Sequence, residues 1–383
     1  VSEPQLREPV PATAHDTARS ELERLATDLV ADRADAWDRA GELPRDLLRE
    51  LGGKGLLAAQ VPAAYGGPGL TGVENGELTA HVGSLCSSVR SVMTSQGMAA
   101  WTVQRFGDEE QKTACLSALT SGRLAGVAFS EPGAGSDLAA MATTIRRDGD
   151  TVVVDGRKVW VTVGAYADLL VVFGRYGAGA AVVVVPADAP GVTVERVADP
   201  MGCRAAGHAG IRLDGVRLPA DSLLGGAGLP TDWLVTSALT YGRISVAWGC
   251  VGMLRACLRA ACGHAATREQ FGAPLAEHQL VARHLAELHV AQEAATRCCE
   301  YASRCWDEGD PRLVTAAVTA KHLAAGQATR GAATAVQVMA SAGARDGGPV
   351  ARAYRDAKLM EIIEGSNEIS QLLLGKHALA VWS

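Results

Sequence analysis

The chain reads as an α+β multidomain protein. It has an N-terminal α-helical domain (residues 1–122), a central antiparallel β-domain (residues 123–231) and a C-terminal four-helix bundle (residues 232–383). Three observations predict this. Apolar residues recur at helical spacing through the first third. Between Gly122 and Asp232 they fall into short β-branched segments separated by turn signals. From Asp232 onward, long Ala- and Leu-rich stretches return to helical core spacing.

In order, Thr17 to Arg39 reads as a helix, with Leu22, Leu25, Leu29 and Val30 on one face. Pro44 opens a short helix that stops at Gly52-Gly53, and Gly66 to Gly69 is a loop by composition. Glu74 to Val103 holds one or two helices, and Glu109 to Leu119 another. The expected strands are 143–147, 151–154, 158–163, 169–175, 180–185 and 192–197, followed by a hairpin of 211–213 and 216–218 around Asp214-Gly215. Their regular spacing suggests an antiparallel sandwich or barrel. Asp232 to Cys262, Gln279 to Trp306 and Pro311 to Ser341 are long helices. Val1 to His15 is Pro-rich and polar, and is expected to be a loose arm.

A chain of 383 residues is long enough for two or three domains with a substantial core. The formal charge of -6, with no Lys/Arg block, argues against nucleic acid as a partner. No apolar run is expected to reach bilayer-spanning length, and the N-terminus shows no signal-peptide pattern. The expectation is a cytoplasmic protein with no membrane partner. The nine cysteines form no C-x-x-C pair, and Cys298 and Cys299 are adjacent. Reduced, buried thiols are expected, Cys250, Cys257 and Cys262 among them, and no metal site.

Several stretches carry candidate chemistry, each with a plainer alternative. Glu364 sits in Glu-Ile-Ile-Glu-Gly-Ser-Asn-Glu, between isoleucines and a glycine. Burial would raise its pKa and suit it to act as a base, or it simply ends one helix before the next. Ser130 to Asp137 is a Gly-rich loop after an apolar run, a binding loop or a plain one; it is neither a Rossmann nor a Walker pattern. Period 2 puts Trp160 and Thr162 on one strand face, where an indole and a hydroxyl suit a flat heterocycle or the indole fills the sheet core. Arg268 to Gly272 lies between long helices, either gripping a pyrophosphate or forming a solvated turn. Gln337 is polar on an otherwise apolar helix.

The combination is more specific than its parts. The helix–sheet–helix order, the Ser-Glu-Pro-Gly-Ala-Gly-Ser-Asp loop, Trp-x-Thr, Arg-x-Gln-Phe-Gly and a late Glu-Gly-Ser resemble the acyl-CoA dehydrogenases over about residues 17 to 380. The resemblance implies that family's fold and FAD as cofactor, bound between the β-domain and the C-terminal bundle. It assigns Ser130, Ser136, Trp160 and Thr162 to the flavin, Arg268 and Phe271 to the pyrophosphate and adenine side across a subunit boundary, and Gln337 to a further cofactor segment. Phe129, Gly135, Gly343, Ser366 and Glu368 are placed at the cofactor with them. Three departures stand out: Val163 replaces an Asn, and Ala340 and Ser341 replace two glycines. The shared cofactor site implies a homodimer or homotetramer.

Glu364 matches the family base for α,β-dehydrogenation. The alternative base position found in some members is Gly242 here, before Arg243. Ser136, Arg90, Tyr241, Arg243 and Gly365 are implied at the substrate. Val89 to Gln96 resembles the helix of glutaryl-CoA dehydrogenases whose Arg meets a distal carboxylate; Arg90 either serves a short polar or acidic acyl group or is a solvated helix-end residue. Within the family, the chain resembles acyl-carrier-protein dehydrogenases of methoxymalonyl extender-unit pathways. That implies a hydroxylated three-carbon acyl thioester on a carrier protein, with CoA as the alternative carrier and electron-transfer flavoprotein as a candidate acceptor. Rival readings are a flavin oxidase or monooxygenase on the same fold, and a non-enzymatic scaffold.

Overall fold

The computed structural model describes residues 14–383, so the expected N-terminal arm lies almost wholly outside the described residues. Six helices form the first third: α1 (Ala14–Val30), α2 (Ala34–Ala40), α3 (Arg45–Gly53), α4 (Gly72–Leu85), α5 (Ser87–Phe106) and α6 (Glu109–Thr120). The single helix expected from Thr17 to Arg39 is two helices. Leu22, Ala26, Val30 and Ala34 follow one another at intervals of four and all face the core. Such a row drifts by about 40° per step around a straight helix. The turn at 31–33, closed by Arg33 N–H donating to the Val30 carbonyl, restores the row and buries Trp37 in the same core. Cys86, extended at φ -156°, separates α4 from α5. Capping boxes at Thr71 and Asp108 start α4 and α6.

The middle of the chain forms one eight-stranded sheet: β1 (Ala125–Ala128), β2 (Thr144–Asp148), β3 (Thr151–Val161), β4 (Leu169–Tyr176), β5 (Gly179–Pro186), β6 (Val192–Arg196), β7 (Ala209–Pro219) and β8 (Leu223–Leu229). The order is β6-β7-β3-β2-β4-β5-β8, with β1 also on β4. The expectation of an antiparallel domain is corrected here, because β1 pairs with β4 in parallel and β2 meets β4 in parallel at Thr144. Both strands of the first pair start from one anchor: the Leu124 carbonyl accepts from the N–H groups of Asp168 and Leu169, and the Asp168 carboxylate accepts from Leu124 N–H.

The hairpin expected at Asp214-Gly215 is also corrected. Residues 209–219 are one strand, and Asp214-Gly215 is a bulge opposite the single residue Asp155, whose carboxylate accepts from Gly215 N–H at 2.7 Å. A turn residue and a bulge residue need the same left-handed glycine, here φ +59°, so the dipeptide alone does not separate them.

The last third holds α7 (Thr231–Thr267), a hairpin of β9 (Glu269–Gln270) and β10 (Ala273–Pro274), then α8 (Gln279–Glu308), α9 (Leu313–Met339), α10 (Pro349–Met360) and α11 (Asn367–Trp382). Helices α7 to α10 share one core containing Leu254, Leu288, Ala324 and Met360. Helix α7 corrects the reading of apolar run lengths: by length and composition it passes for a membrane span, but 72% of its apolar window is buried inside the protein, as the central helix of the bundle. All nine cysteines are free. Six are buried, while Cys262 is exposed, contrary to its apolar-pattern reading.

Candidate active site

A cleft of about 820 Å³ lies where α5, the loop after β1, the end of β3, the start of α7 and the 361–366 turn converge. Glu364 reaches it from that turn. Its φ is +54° and that of Gly365 is +90°, two successive left-handed residues that reverse the chain between α10 and α11. Arg243 Nε donates to the Glu364 carbonyl at 3.2 Å, and Lys321 Nζ donates to the Gly365 carbonyl at 2.7 Å. The carboxylate Oε2 is buried without a hydrogen-bond partner. Burial pushes the Glu364 carboxyl up to about 7, against the pull of the Arg243, Lys321 and Arg90 charges. Gly242 makes room for it: a Cβ there would stand 2.4 Å from Oε2.

Arg90 lies in the cleft wall on α5 and is fully buried. It donates to Thr94 Oγ1 at 3.2 Å and to the Met360 sulfur at 3.0 Å, and its Nε has no partner. Among the described residues no carboxylate lies within ion-pair distance of it. The solvated helix-end alternative is therefore wrong. Thr94 and Ser95 also line the cleft, whereas Gln96 is spent holding β1, accepting from Ala125 N–H and donating to the Arg123 carbonyl.

The Gly-rich loop is pinned from beneath. Lys158 Nζ, fully buried, donates to the Phe129 carbonyl and to Glu131 Oε1 at 2.9 and 2.8 Å. The Glu131 carboxylate also accepts from Ala142 and Thr143 N–H, so one ion pair closes the loop's two ends. This leaves Ser130, Gly135 and Ser136 along the cleft, with Phe129 beside them. Trp160 and Thr162 face the same cleft, but strand alternation is not the cause. Val159 and Trp160 together oppose Gly210 in a second bulge, Trp160 has φ +56°, and the strand ends at Val161. The bulge turns the indole outward, 55% exposed, which rules out the sheet-core alternative.

Arg243, Gly365 and Ser366 line the cleft as expected. Tyr241 does not. It is buried among α4, α5 and α8, with its hydroxyl 3.4 Å from Asn75 Nδ2, because a residue two positions before Arg243 on a helix faces the other way. Arg268, Phe271, Gln337, Gly343 and Glu368 are also outside this cleft. Phe271, 98% exposed, tips the β9–β10 hairpin beside exposed Arg268, while Gln337 and Glu368 are exposed and Gly343 is buried.

Two cleft-side groups have no motif in the sequence. His208 Nδ1 is 3.3 Å from Thr162 Oγ1 and its Nε2 is unpartnered. Burial, with Arg90 and Arg196 nearby, pulls it down to about 4, so it is neutral at physiological pH. Lys321 sits on the Ala-rich helix α9, which also carries Arg330, and no sequence pattern sets it apart.

Comparison with known proteins gives this geometry its class. Residues 12–123, 126–216 and 233–379 match the profiles for the acyl-CoA dehydrogenase N-terminal, middle and C-terminal domains. The chain belongs to the acyl-CoA dehydrogenase family, FAD-dependent oxidoreductases that act on CH–CH bonds.

It is 32% identical to the Homo sapiens mitochondrial short-chain specific acyl-CoA dehydrogenase, over 98% of this chain and 90% of the relative. It is 63% identical to the solved structure of FkbI, a protein for biosynthesis of the methoxymalonyl extender unit of the polyketide Fk520, with TM-score 0.90 over 94% of this chain and 99% of that one. A Mycobacterium smegmatis glutaryl-CoA dehydrogenase in complex with FADH2 is 25% identical, with TM-score 0.90 over 97% of this chain and 95% of that one.

The residues present fit the cofactor. An outward-facing indole, the hydroxyls of Ser130, Ser136 and Thr162, and a loop where a Cβ at Gly133 or Gly135 would meet nothing within 4 Å form an aromatic wall, polar donors and an open backbone. They lie across one cleft from a carboxylate with an unpartnered oxygen.

Proposed function

We propose that this enzyme removes hydrogen from Cα and Cβ of a short, polar acyl thioester carried on an acyl carrier protein. The observation that carries the polar substrate is Arg90, a buried cation in the cleft wall with no carboxylate of its own. A fatty-acyl pocket has no use for an unneutralised guanidinium, whose burial is costly unless a ligand group meets it. Thr94 and Ser95 line the same cleft, with their hydroxyls bonded to Ser245 and to the Ala125 and Thr162 carbonyls. The carrier-protein assignment is supported by the 63% identity to FkbI and by the extender-unit role described for that protein; the substrate envisaged is a hydroxylated three-carbon unit.

In this reading Glu364 takes the α-proton. Its carboxyl, raised to about 7 by burial, is basic enough to accept the proton yet largely ionised just above neutrality. Trp160, Thr162, Ser130 and Ser136 hold FAD, and bound FAD supplies the acceptor for the Cβ hydride. Arg90, whose Nε has no protein partner, orients the acyl group between base and cofactor. Electrons leave to an external acceptor, with electron-transfer flavoprotein the candidate. Phe271 and Arg268 on their projecting hairpin suit contact with a second subunit's cofactor, in a homodimer or homotetramer.

A second reading, dehydrogenation of a short or dicarboxylic acyl-CoA, draws on the same Arg90 and on the glutaryl-CoA dehydrogenase likeness. Presenting one acyl group on CoA and on carrier protein separates the two. A large kcat/KM preference for the carrier protein is expected, and equal values would discard that assignment.

A further inference from the structure

We propose that Lys321, on α9, is a positioning residue for the base: its ammonium holds the left-handed turn that aims Glu364 and keeps that carboxylate ionised. This rests on Glu364 being the base. Glu364 and Gly365 are consecutive left-handed residues, a backbone shape disfavoured for a glutamate, and each presents its carbonyl to a buried cation. Lys321 is fully buried, and its one hydrogen bond is to the Gly365 carbonyl at 2.7 Å. A neutral donor would satisfy that carbonyl. An ammonium is costly in such a place without an anion nearby, so its charge calls for a reason. Cys250 on α7 also faces Lys321, but burial pushes its thiol up to about 12 and keeps it neutral, so the anion at hand is Glu364.

The charged groups facing the carboxylate come from every element around it. They are Arg243 on α7, Lys321 on α9 and Arg90 on α5, with Glu361 at the end of α10 neutralised by Lys358 at 2.7 Å, and exposed Glu368 opening α11. Arg90 bonds to Thr94 and Met360, and Arg243 bonds to the Glu364 carbonyl. Lys321 is the cation that couples the turn to the long bundle helix α9. Burial pulls its ammonium down to about 8, so it stays mostly charged where Glu364 titrates.

The test is the pH dependence of flavin reduction by substrate in the FAD-loaded enzyme, from about pH 6 to 9, for Lys321→Met and Lys321→Gln. Loss of a nearby opposite charge raises a carboxyl by about one pKa unit, so Lys321→Gln should reduce flavin about fivefold more slowly at pH 7 and Lys321→Met more slowly still. Lys321→Met should also show a lower plateau at high pH, because the turn has lost its tether. Lys321→Gln, whose amide can still donate to Gly365, should recover that plateau while keeping the raised apparent pKa. FAD content, the flavin absorption spectrum and KM should match wild type in both. Should the Met variant not fold, the Gln variant carries the same pH comparison. Profiles superimposable on wild type would overturn the proposal while leaving Glu364 as the base. A Glu364→Gln enzyme that still reduced its flavin would instead remove the base assignment itself.

Discussion

Replacing Glu364 by Gln should stabilise this enzyme while abolishing its turnover, and the stabilisation should depend on pH. The carboxyl titrates at 4.5 in an unfolded reference and at about 7 in the folded protein, because its Oε2 is buried and unpartnered. Below the lower value both states hold the proton and the residue contributes no pH dependence. Between the two values the folded protein keeps a proton that the unfolded chain has released, so stability falls as pH rises through that window. Above the upper value the full cost of a buried carboxylate is present, about 3 kcal/mol at about 1.4 kcal/mol per pKa unit.

Glutamine has the shape of the neutral acid and escapes that cost. The advantage of the variant should grow by about 2.5 kcal/mol between pH 5 and 8. With an unfolding entropy of about 2.1 cal/mol/K per residue, that is about 3 °C in melting temperature for a chain of this size. Paired thermal melts at matched FAD and protein concentration measure it. Melting curves for the two proteins that stay parallel from pH 5 to 8 would show that the carboxylate is not desolvated, and the tuned-base argument would fall with it.

Four further perturbations follow from the same geometry. Gly242→Ala places a methyl 2.4 Å from Glu364 Oε2; the flexible carboxylate should yield, costing little stability but on the order of 100-fold in kcat, read as slower flavin reduction at unchanged FAD content. Lys158→Met breaks a fully buried pair and strands Glu131, so it should lose about 3–5 kcal/mol in chemical denaturation and release FAD more readily. Arg90→Gln should raise KM for a polar acyl thioester and leave an unsubstituted short acyl thioester unaffected; equal effects on both would deny it a substrate contact. Ala340 ends α9 at φ +51° and ψ -128°, so Ala340→Gly should stabilise the protein by about 1 kcal/mol in the same denaturation assay.

The sequence was most readable where one local rule decides. Pro44, the Gly52-Gly53 stop and the strand bounded by Leu169 follow from capping and periodicity alone, and the helix–sheet–helix order emerges from them. It was misleading where two structures share one signal. Asp214-Gly215 serves a hairpin or a bulge equally well. Trp160 faces the cleft because a bulge shifts the strand alternation, and period 2 alone does not place it there. Tyr241 and Arg243 are both implied at the substrate, but residues two apart on a helix face different ways, so only Arg243 reaches the cleft. His208 and Lys321 were invisible because their roles depend on neighbours 46 and 44 residues away in sequence, Thr162 and Gly365. A buried histidine or lysine has no spacing rule of its own.

The departures from the family pattern at Val163 and Ala340 fall on a common backbone trait. Each sits at positive φ, +69° and +51°, where the Asn and Gly implied by the resemblance would sit comfortably and valine and alanine do not. At both places the backbone keeps a left-handed shape that its side chain does not favour. At Val163 complete burial in the core of the N-terminal domain compensates for the awkward shape, whereas exposed Ala340 has no such cover. An engineer adapting this scaffold should consult torsion angles before composition when choosing which positions to restore.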